Sequence, residues 1–434
     1  MKTTLALFGA TRYWGLEPLQ SAAAQMEAAM ADLADETIVA IDGAYPEGCA
    51  DSDAACIIIP MSGAVQAPLV QFAQRFKRVV LFAGYVSGNF DAGLCNDMVR
   101  LNAAPTTMDS WAVLRQSHPD VSLCIDRASL QAALAAPCKA VATSVPVNTA
   151  DAALPKATNR LLLIGETEPW VISSSRHFEK YARIGIEVVQ CPSAALANLF
   201  TQTTDTEAAE MTAHFANRAD ALAEPSHADV AVAARLAVAL EALIRQHEAD
   251  GAAIACFNLI PVLGTTSCLA VSHINERTKF VAACEGDLDS AATLLFMKQK
   301  TDKGVWMANP NLQPDGSVNF THCTAPLAVC GKQCAFRLRN HHESGAGVSP
   351  EVDFPIGGRV TLCRISAEHG QMTVQNGYSE AGAREASCRT QLRIRPDDFG
   401  HYIQTSLGCH QVIAFEDIAE DMKALGHKLG LKVI

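Results

Sequence analysis

At 434 residues, 49% hydrophobic and 18% charged, the chain is long enough for two or three globular domains with substantial cores. A net charge of -12 with scattered basic residues and no basic stripe argues against a nucleic-acid partner. No apolar run approaches the roughly 20 residues of a membrane span, so no membrane partner is expected. The N-terminal TLALFGATR reads as a first strand rather than a signal peptide. Fifteen cysteines, an odd number without disulfide spacing, fit a reducing compartment, and a cytoplasmic protein is expected.

Residues 1–150 alternate short apolar runs with helical patterns. Strands are expected at Thr3–Phe8, Thr37–Ile41, Ala54–Pro60, Arg78–Ala83, Val121–Ile125 and Lys139–Val145, and helices at Leu16–Leu33, Gln66–Phe76 and Arg127–Ala136. Such alternation builds a parallel sheet covered by helices on both faces. No G-x-G-x-x-G or Walker A pattern follows a strand, so no nucleotide site is expected. The strand-end loops FGATRYWG (8–15) and FAGYVSGN (82–89) are either ligand loops by the switch-point rule or ordinary turns. Pro146 to Pro155 reads as a linker.

Residues 151–280 repeat the alternation. Strands are expected at Asn159–Gly165, Ile186–Cys191 and Ala252–Leu259. Helices are expected at His177–Ile184, Ser193–Thr201, Thr206–Leu222, Ala228–His247 and Cys268–Ile274, the last capped by Thr265, Thr266 and Ser267. The loop Glu166–Trp170 carries two acids and a tryptophan at a strand end.

From residue 281 the texture changes. After a helix at Ser290–Lys300, strands are expected at Val305–Ala308, Ser317–Cys323, Cys334–Asn340, Arg359–Ser366, Gln371–Asn376 and Gln391–Arg395, with a closing helix at Ile418–Leu429. The loop Asn340–Val348 is polar and expected to be mobile. The fold class is therefore α/β: two doubly wound parallel-sheet domains, 1–150 and 151–280, followed by a β-rich, antiparallel or barrel-like domain, 281–434.

The stretch Cys284-Glu285-Gly286-Asp287-Leu288-Asp289 joins an expected strand, Lys279–Cys284, to the Ser290–Lys300 helix. Its three carboxylates either cap the helix, through Asp287 or Asp289, or hold a cation. Two other stretches place an imidazole beside a thiol at an element end. These are His322-Cys323 in THCTAP and Cys409-His410 in SLGCHQ, the latter expected as a turn between strands. Carboxylate and imidazole together suit Mn²⁺, Fe²⁺ or Zn²⁺, and the thiols favour Zn²⁺ or a redox role. Each histidine taken alone is more often a core or hydrogen-bonding residue. Cys330 and Cys334 are spaced C-x-x-x-C, but no second pair sits at zinc-ribbon spacing.

At these residues the chain resembles the L-fucose isomerase-like proteins, within the L-fucose/L-arabinose isomerase superfamily, as a divergent member. CEGDLDSAATLLF is similar to the family's C-E-x-D strand-to-helix turn. HCTAP is similar to its H-C-G/T-x-P element, and His410 to Val433 to its last strand and helix. The resemblance implies a metal-dependent aldose–ketose isomerase acting on a small sugar through an enediol. It implies Mn²⁺ or another divalent metal held by Asp287 and His410, and a homo-oligomer, trimer or hexamer. The family's third ligand, a Glu upstream of the Asp, is missing, because Cys256–Cys268 holds no carboxylate. Glu285, then His322, are the candidates to act with Asp287 in its catalytic place, and Glu168 and Trp170 are candidates to bind substrate. Two other readings stand beside this one. One is a thiol- or metal-dependent enzyme of different chemistry using Cys268, Cys284, Cys323 or Cys409. The other is a non-catalytic protein that binds a sugar or another small molecule.

Overall fold

In the computed structural model, residues 2–45, 54–84, 92–138 and 158–434 are described. The first sheet holds β1 (Thr3–Gly9), β2 (Glu36–Ile41), β3 (Ala55–Pro60), β4 (Arg78–Phe82) and β5 (Val121–Cys124), all parallel, in the order β2-β1-β3-β4-β5. β3 reads ACIIIP and is buried at every residue, as a strand covered on both faces must be. The strand order reverses between β1 and β3, so their carboxyl ends open a crevice. Two helices, Ala92–Arg100 and Ala103–Ser117, lie where none was expected. The second is buried nearly all round, Thr106, Thr107, Asp109 and Ser110 included, so it carries no amphipathic period. The expected strand Lys139–Val145, the linker Pro146–Pro155 and most of the loop FAGYVSGN fall outside the described residues.

The second region contains β6 (Asn159–Ile164), β7 (Ile186–Cys191), β8 (Ala221–Leu222), β9 (Gly251–Ile254) and β10 (Val281–Ala283). Four of these form a parallel sheet in the order β10-β9-β6-β7, with its reversal between β6 and β9. Three expectations are corrected here. Thr206–Leu222 is not one helix: a helix covers Ala209–Arg218, and β8 then pairs elsewhere. Ala252–Leu259 is not one strand: β9 stops at Ile254 and Cys256–Leu263 is helical, an apolar run that periodicity alone does not resolve. The helix Cys268–Arg277 starts after Ser267 without a side-chain cap hydrogen bond.

The C-terminal region adds β11 (Val305–Leu312), β12 (Val318–His322), β13 (Ala328–Val329), β14 (Lys332–Gln333), β15 (Ala335–Arg339), β16 (Ser349–Asp353), β17 (Arg359–Ser366), β18 (Gln371–Glu380), β19 (Thr390–Pro396), β20 (Gln411–Ala414) and β21 (Lys432–Val433). Six of them, in the order β17-β20-β11-β12-β19-β18, close into an antiparallel barrel through the β17–β18 pairing. Closure leaves these strands no free edges. β8 adds in parallel to the β15–β16 hairpin and ties the second region to this one. The turn 406–410 follows a helix, Phe399–Thr405, and so does not link two strands.

The helix Leu288–Lys298 is buried through Met297 and packs against β6, β9 and β10 of the second sheet and β11, β17 and β20 of the barrel. Its N-terminus, the CEGD turn, therefore sits where sheet and barrel meet. Among the described residues no single helix is long and apolar enough to cross a membrane.

Candidate metal centre and its cavity

The turn after β10 is left-handed at two successive residues, Glu285 (φ 58) and Gly286 (φ 62). At Gly286 a Cβ would lie 2.7 Å from Glu166 O and from Thr167 Cα, so only glycine fits. The left-handed conformation costs Glu285 about 1–2 kcal/mol. Contacts with the loop after β6 hold it there. Thr167 Oγ1 donates to Gly286 O (2.8 Å), Glu168 N to Glu285 O (2.9 Å), and Trp170 Nε1 to Glu285 Oε2 (2.7 Å).

Asp287 caps the helix, accepting from Ser290 N (3.0 Å) and Ser290 Oγ (2.7 Å). It also pairs with Arg364 Nη1 (2.9 Å) and His410 Nδ1 (2.8 Å). Both of its oxygens thus accept hydrogen bonds, and with Cys409 and His410 it also forms a group whose donor atoms lie within 4.8 Å of one another, as expected of a metal ligand. Arg364, fully buried, donates further to Ser290 Oγ (2.8 Å) and His410 O (3.0 Å). Burial opposes the Asp287 charge, but Arg364 and His410 outweigh it and hold its pKa well below the usual carboxylate range. The third acid, Asp289, lies deeper. It accepts from Tyr181 Oη (2.9 Å) and Ala367 N (3.1 Å), its Oδ2 has no partner, and burial pushes its pKa up to about 7. From the first region, Asp109 accepts from Ile172 N (2.8 Å) and from the Ser173 hydroxyl.

Glu285 stands in a second such group on the other side of His410. One donor atom each from Glu285, His322 and His410 lies within 4.8 Å of the others. Two imidazoles and a carboxylate form a donor set suited to Mn²⁺, Fe²⁺ or Zn²⁺. The His410 environment fits such an ion. Nδ1 faces Asp287, while buried Nε2 makes no hydrogen bond and has Glu285 Oε1 3.5 Å away. A carboxylate behind a ligating histidine is the usual orienting arrangement. Burial opposes the charged form of His410, but Cys409 and Asp287 outweigh it and hold its pKa well above the imidazole range, so an ion would bind there in exchange for the ring proton. The Cys409 thiol is itself pushed up to about 12 by burial and is neutral near pH 7, so Asp287 is the partner that counts there. His322, with Nδ1 2.7 Å from the Thr324 hydroxyl, is pushed down to about 3 by burial and by His410, and stays neutral as a ligand must.

Beside these groups lies a cavity with two adjoining lobes, a smaller and a larger, sharing Phe257, Glu285, Asn309 and Glu343 as walls. The larger lobe is lined by Tyr13 and Trp14 of the loop after β1, Gly63 and Gln66 after β3, Asn102, and Trp170. The crevices of both parallel sheets thus open onto one space, and the FGATRYWG loop is a wall of it. Tyr13, Trp170 and Phe257 stack edge-to-face or tilted, with centroids 5.2–6.4 Å apart. Glu168, brought beside Glu285 as expected for the site, is buried. Its Oε2 accepts from Asn258 Nδ2 (3.4 Å), and Oε1 has no partner. Burial first, then the Glu285 charge, raise its pKa to about 7.

The smaller lobe is lined by five cysteines: Cys256, Cys268, Cys284, Cys323 and Cys388. These five are free thiols. Burial pushes the Cys323 thiol up, but the hydrogen-bonded Cys388 thiol and the nearby His341 outweigh this and bring it down to about 5. Cys268, Cys284 and Cys388 are all raised well above the thiol range. The loop expected to be mobile sends His341 and Glu343 inward, both nearly buried and paired at 2.9 Å. Cys330 and Cys334 lie apart from the site, with Cys330 Sγ on Phe415 O at 3.3 Å. Sequence reasoning missed Arg364, His341, Glu343, Cys256 and Cys388. The HHE triplet inside a glycine loop was the one available signal among them.

The chain matches no protein-family model, and no curated protein is significantly similar to it.

Proposed function

We propose that this protein is a metal-dependent enzyme that moves a proton between adjacent carbons of a small sugar-like molecule, in the manner of an aldose–ketose isomerase. The observation that supports this reading best is the convergence of Glu285, His322 and His410 beside a carboxyl group, Glu168, that titrates near neutrality. Resemblance to the L-fucose isomerase-like proteins supplies the reaction class.

A bound divalent ion supplies Lewis acidity to neighbouring carbonyl and hydroxyl oxygens. The chain's own residues do the rest. Asp287 orients His410. Trp170 Nε1, Glu168 N and the Thr167 hydroxyl fix the Glu285–Gly286 turn. The aromatic walls receive the C–H faces of a sugar, and Asn102, Gln66 and Asn309 offer amide partners for its hydroxyls. Glu168, with one unpartnered oxygen, takes the proton from one carbon and returns it to the next, in place of the family's missing Glu. Glu285 is thereby read as a ligand rather than as the acid/base group. A thiol nucleophile is less well supported. Cys323, although its pKa is brought down to about 5, is 2% exposed and packed against Cys268 and Cys388, whereas reactive thiols are partly exposed.

The test is solvent deuterium incorporation at the carbons flanking the carbonyl, followed by NMR over a panel of aldoses and ketoses. Exchange that stops with chelator and returns with Mn²⁺ supports the reading. Purified protein with no bound metal and no exchange on any sugar overturns it. The same reading carries a cytoplasmic homo-oligomer, trimer or hexamer, which sedimentation measures directly.

A further inference from the structure

The smaller lobe holds a second constellation that the proposed reaction does not use. Cys323 follows β12, Glu343 lies in the loop between β15 and β16, and Cys388 precedes β19. One donor atom from each lies within 4.8 Å of the others, and Cys388 Sγ is 3.8 Å from Glu343 Oε1. Cys268 packs against both thiols. Every one of these side chains is at least nine-tenths buried: Cys323 is 2%, Cys388 4% and Cys268 4% exposed, and the Glu343 side chain 7%.

A carboxylate buried among thiols is costly unless it is paired. Glu343 is held in place by Asn102 Nδ2 (2.9 Å, to Oε1) and His341 Nε2 (2.9 Å, to Oε2). These two contacts come from different parts of the chain and aim the carboxylate at the cysteines. A disulfide site would need no carboxylate. Two thiols and a carboxylate are, by contrast, a recognised donor set for a borderline-soft d¹⁰ ion, which takes sulfur and oxygen ligands together. Three protein donors leave a fourth position, and the site opens on the cavity that Glu285 and His322 also line. Structural zinc sites are closed by four protein ligands, whereas sites that meet a substrate keep one position open.

We propose that Cys323, Cys388 and Glu343 form a second cation site, for Zn²⁺, open to the same cavity as the imidazole–carboxylate cluster. The inference stands independently of the isomerase reading, since it uses none of that cluster's ligands.

The probe is Co²⁺ added to the reduced, metal-free full chain. The wild type is expected to develop the near-ultraviolet charge-transfer absorption of thiolate–cobalt bonds. That band is expected to be lost in Cys388→Ser, weakened in Glu343→Gln and kept in His410→Ala, which removes only the imidazole site. A second measurement needs no variant: Zn²⁺ should protect Cys323 and Cys388 from alkylation, read peptide by peptide, and leave exposed Cys330 reactive. Absence of the band in the wild type, its persistence in Cys388→Ser, or equal labelling of Cys323 and Cys388 with and without Zn²⁺ would overturn the proposal.

Discussion

His410 turns Nδ1 to Asp287 at 2.8 Å and leaves Nε2, buried and without a hydrogen bond, beside Glu285. The carboxylate that looks most like a metal ligand in the chain thus stands behind the imidazole. It also carries the helix cap and the Arg364 ion pair. Removing its charge should act through His410. Asp287→Asn is expected to weaken divalent-metal affinity about 10–100-fold, the range for a partner behind a ligand. His410→Ala should abolish binding at that cluster. Calorimetric titration with Mn²⁺ separates the two, and undiminished affinity in Asp287→Asn would count against the arrangement.

Arg364 is the only cation that directly pairs with buried Asp287 apart from His410 among the described residues. Replacing it with methionine keeps much of the volume and leaves Asp287 short of its partner. A loss of about 3–5 kcal/mol is expected, as for a buried pair broken on one side. Urea unfolding of the variant against the wild type measures it. A change under 1 kcal/mol would mean that the pair is as weak as a surface one.

Glu168 gives a pH dependence with a definite sign. Its folded pKa, about 7, is raised above the ordinary 4.5, so the folded chain binds the proton more tightly than the unfolded chain. The resulting stability is full below pH 4.5 and is lost as pH rises through about 7. The pH-dependent part is on the order of 3 kcal/mol. Glu168→Gln should therefore show less loss of thermal stability than the wild type between these limits. In turnover the same variant should remove the limb of the pH–rate profile near neutrality. A wild-type profile flat across that range would remove Glu168 from the mechanism.

Gly286 is a backbone position of the site where no side chain fits. Gly286→Ala drives a Cβ to 2.7 Å from Glu166 O and Thr167 Cα, and adds the strain of a positive φ. The expected result is a loss of about 2 kcal/mol or more, together with release of Trp170 from Glu285, read as a shift in tryptophan fluorescence. Normal stability and unchanged fluorescence would show that the two loops are not locked together.

Much of the architecture was legible in the chain. Apolar runs alternating with amphipathic helices announce parallel sheets, and closely spaced strands with glycine turns announce the barrel, because each period is set by local backbone geometry. The CEGD turn and the two His–Cys pairs were visible for the same reason: a strand end meeting a helix start concentrates polar groups at a known place. Elements buried all round, such as Ala103–Ser117, were not legible, since they have no polar face to set a period. The donor set was not legible either. Asp287 is paired with Arg364, 77 residues away, whereas Glu285 faces the cavity. Cys388 and Glu343, 45 residues apart, meet only through loop packing. The sequence by itself determined which groups stand at element ends. Only the tertiary structure decided which of them are consumed by pairing and which face the cavity, because pairing acts over a few ångströms in space and leaves no trace in chain spacing.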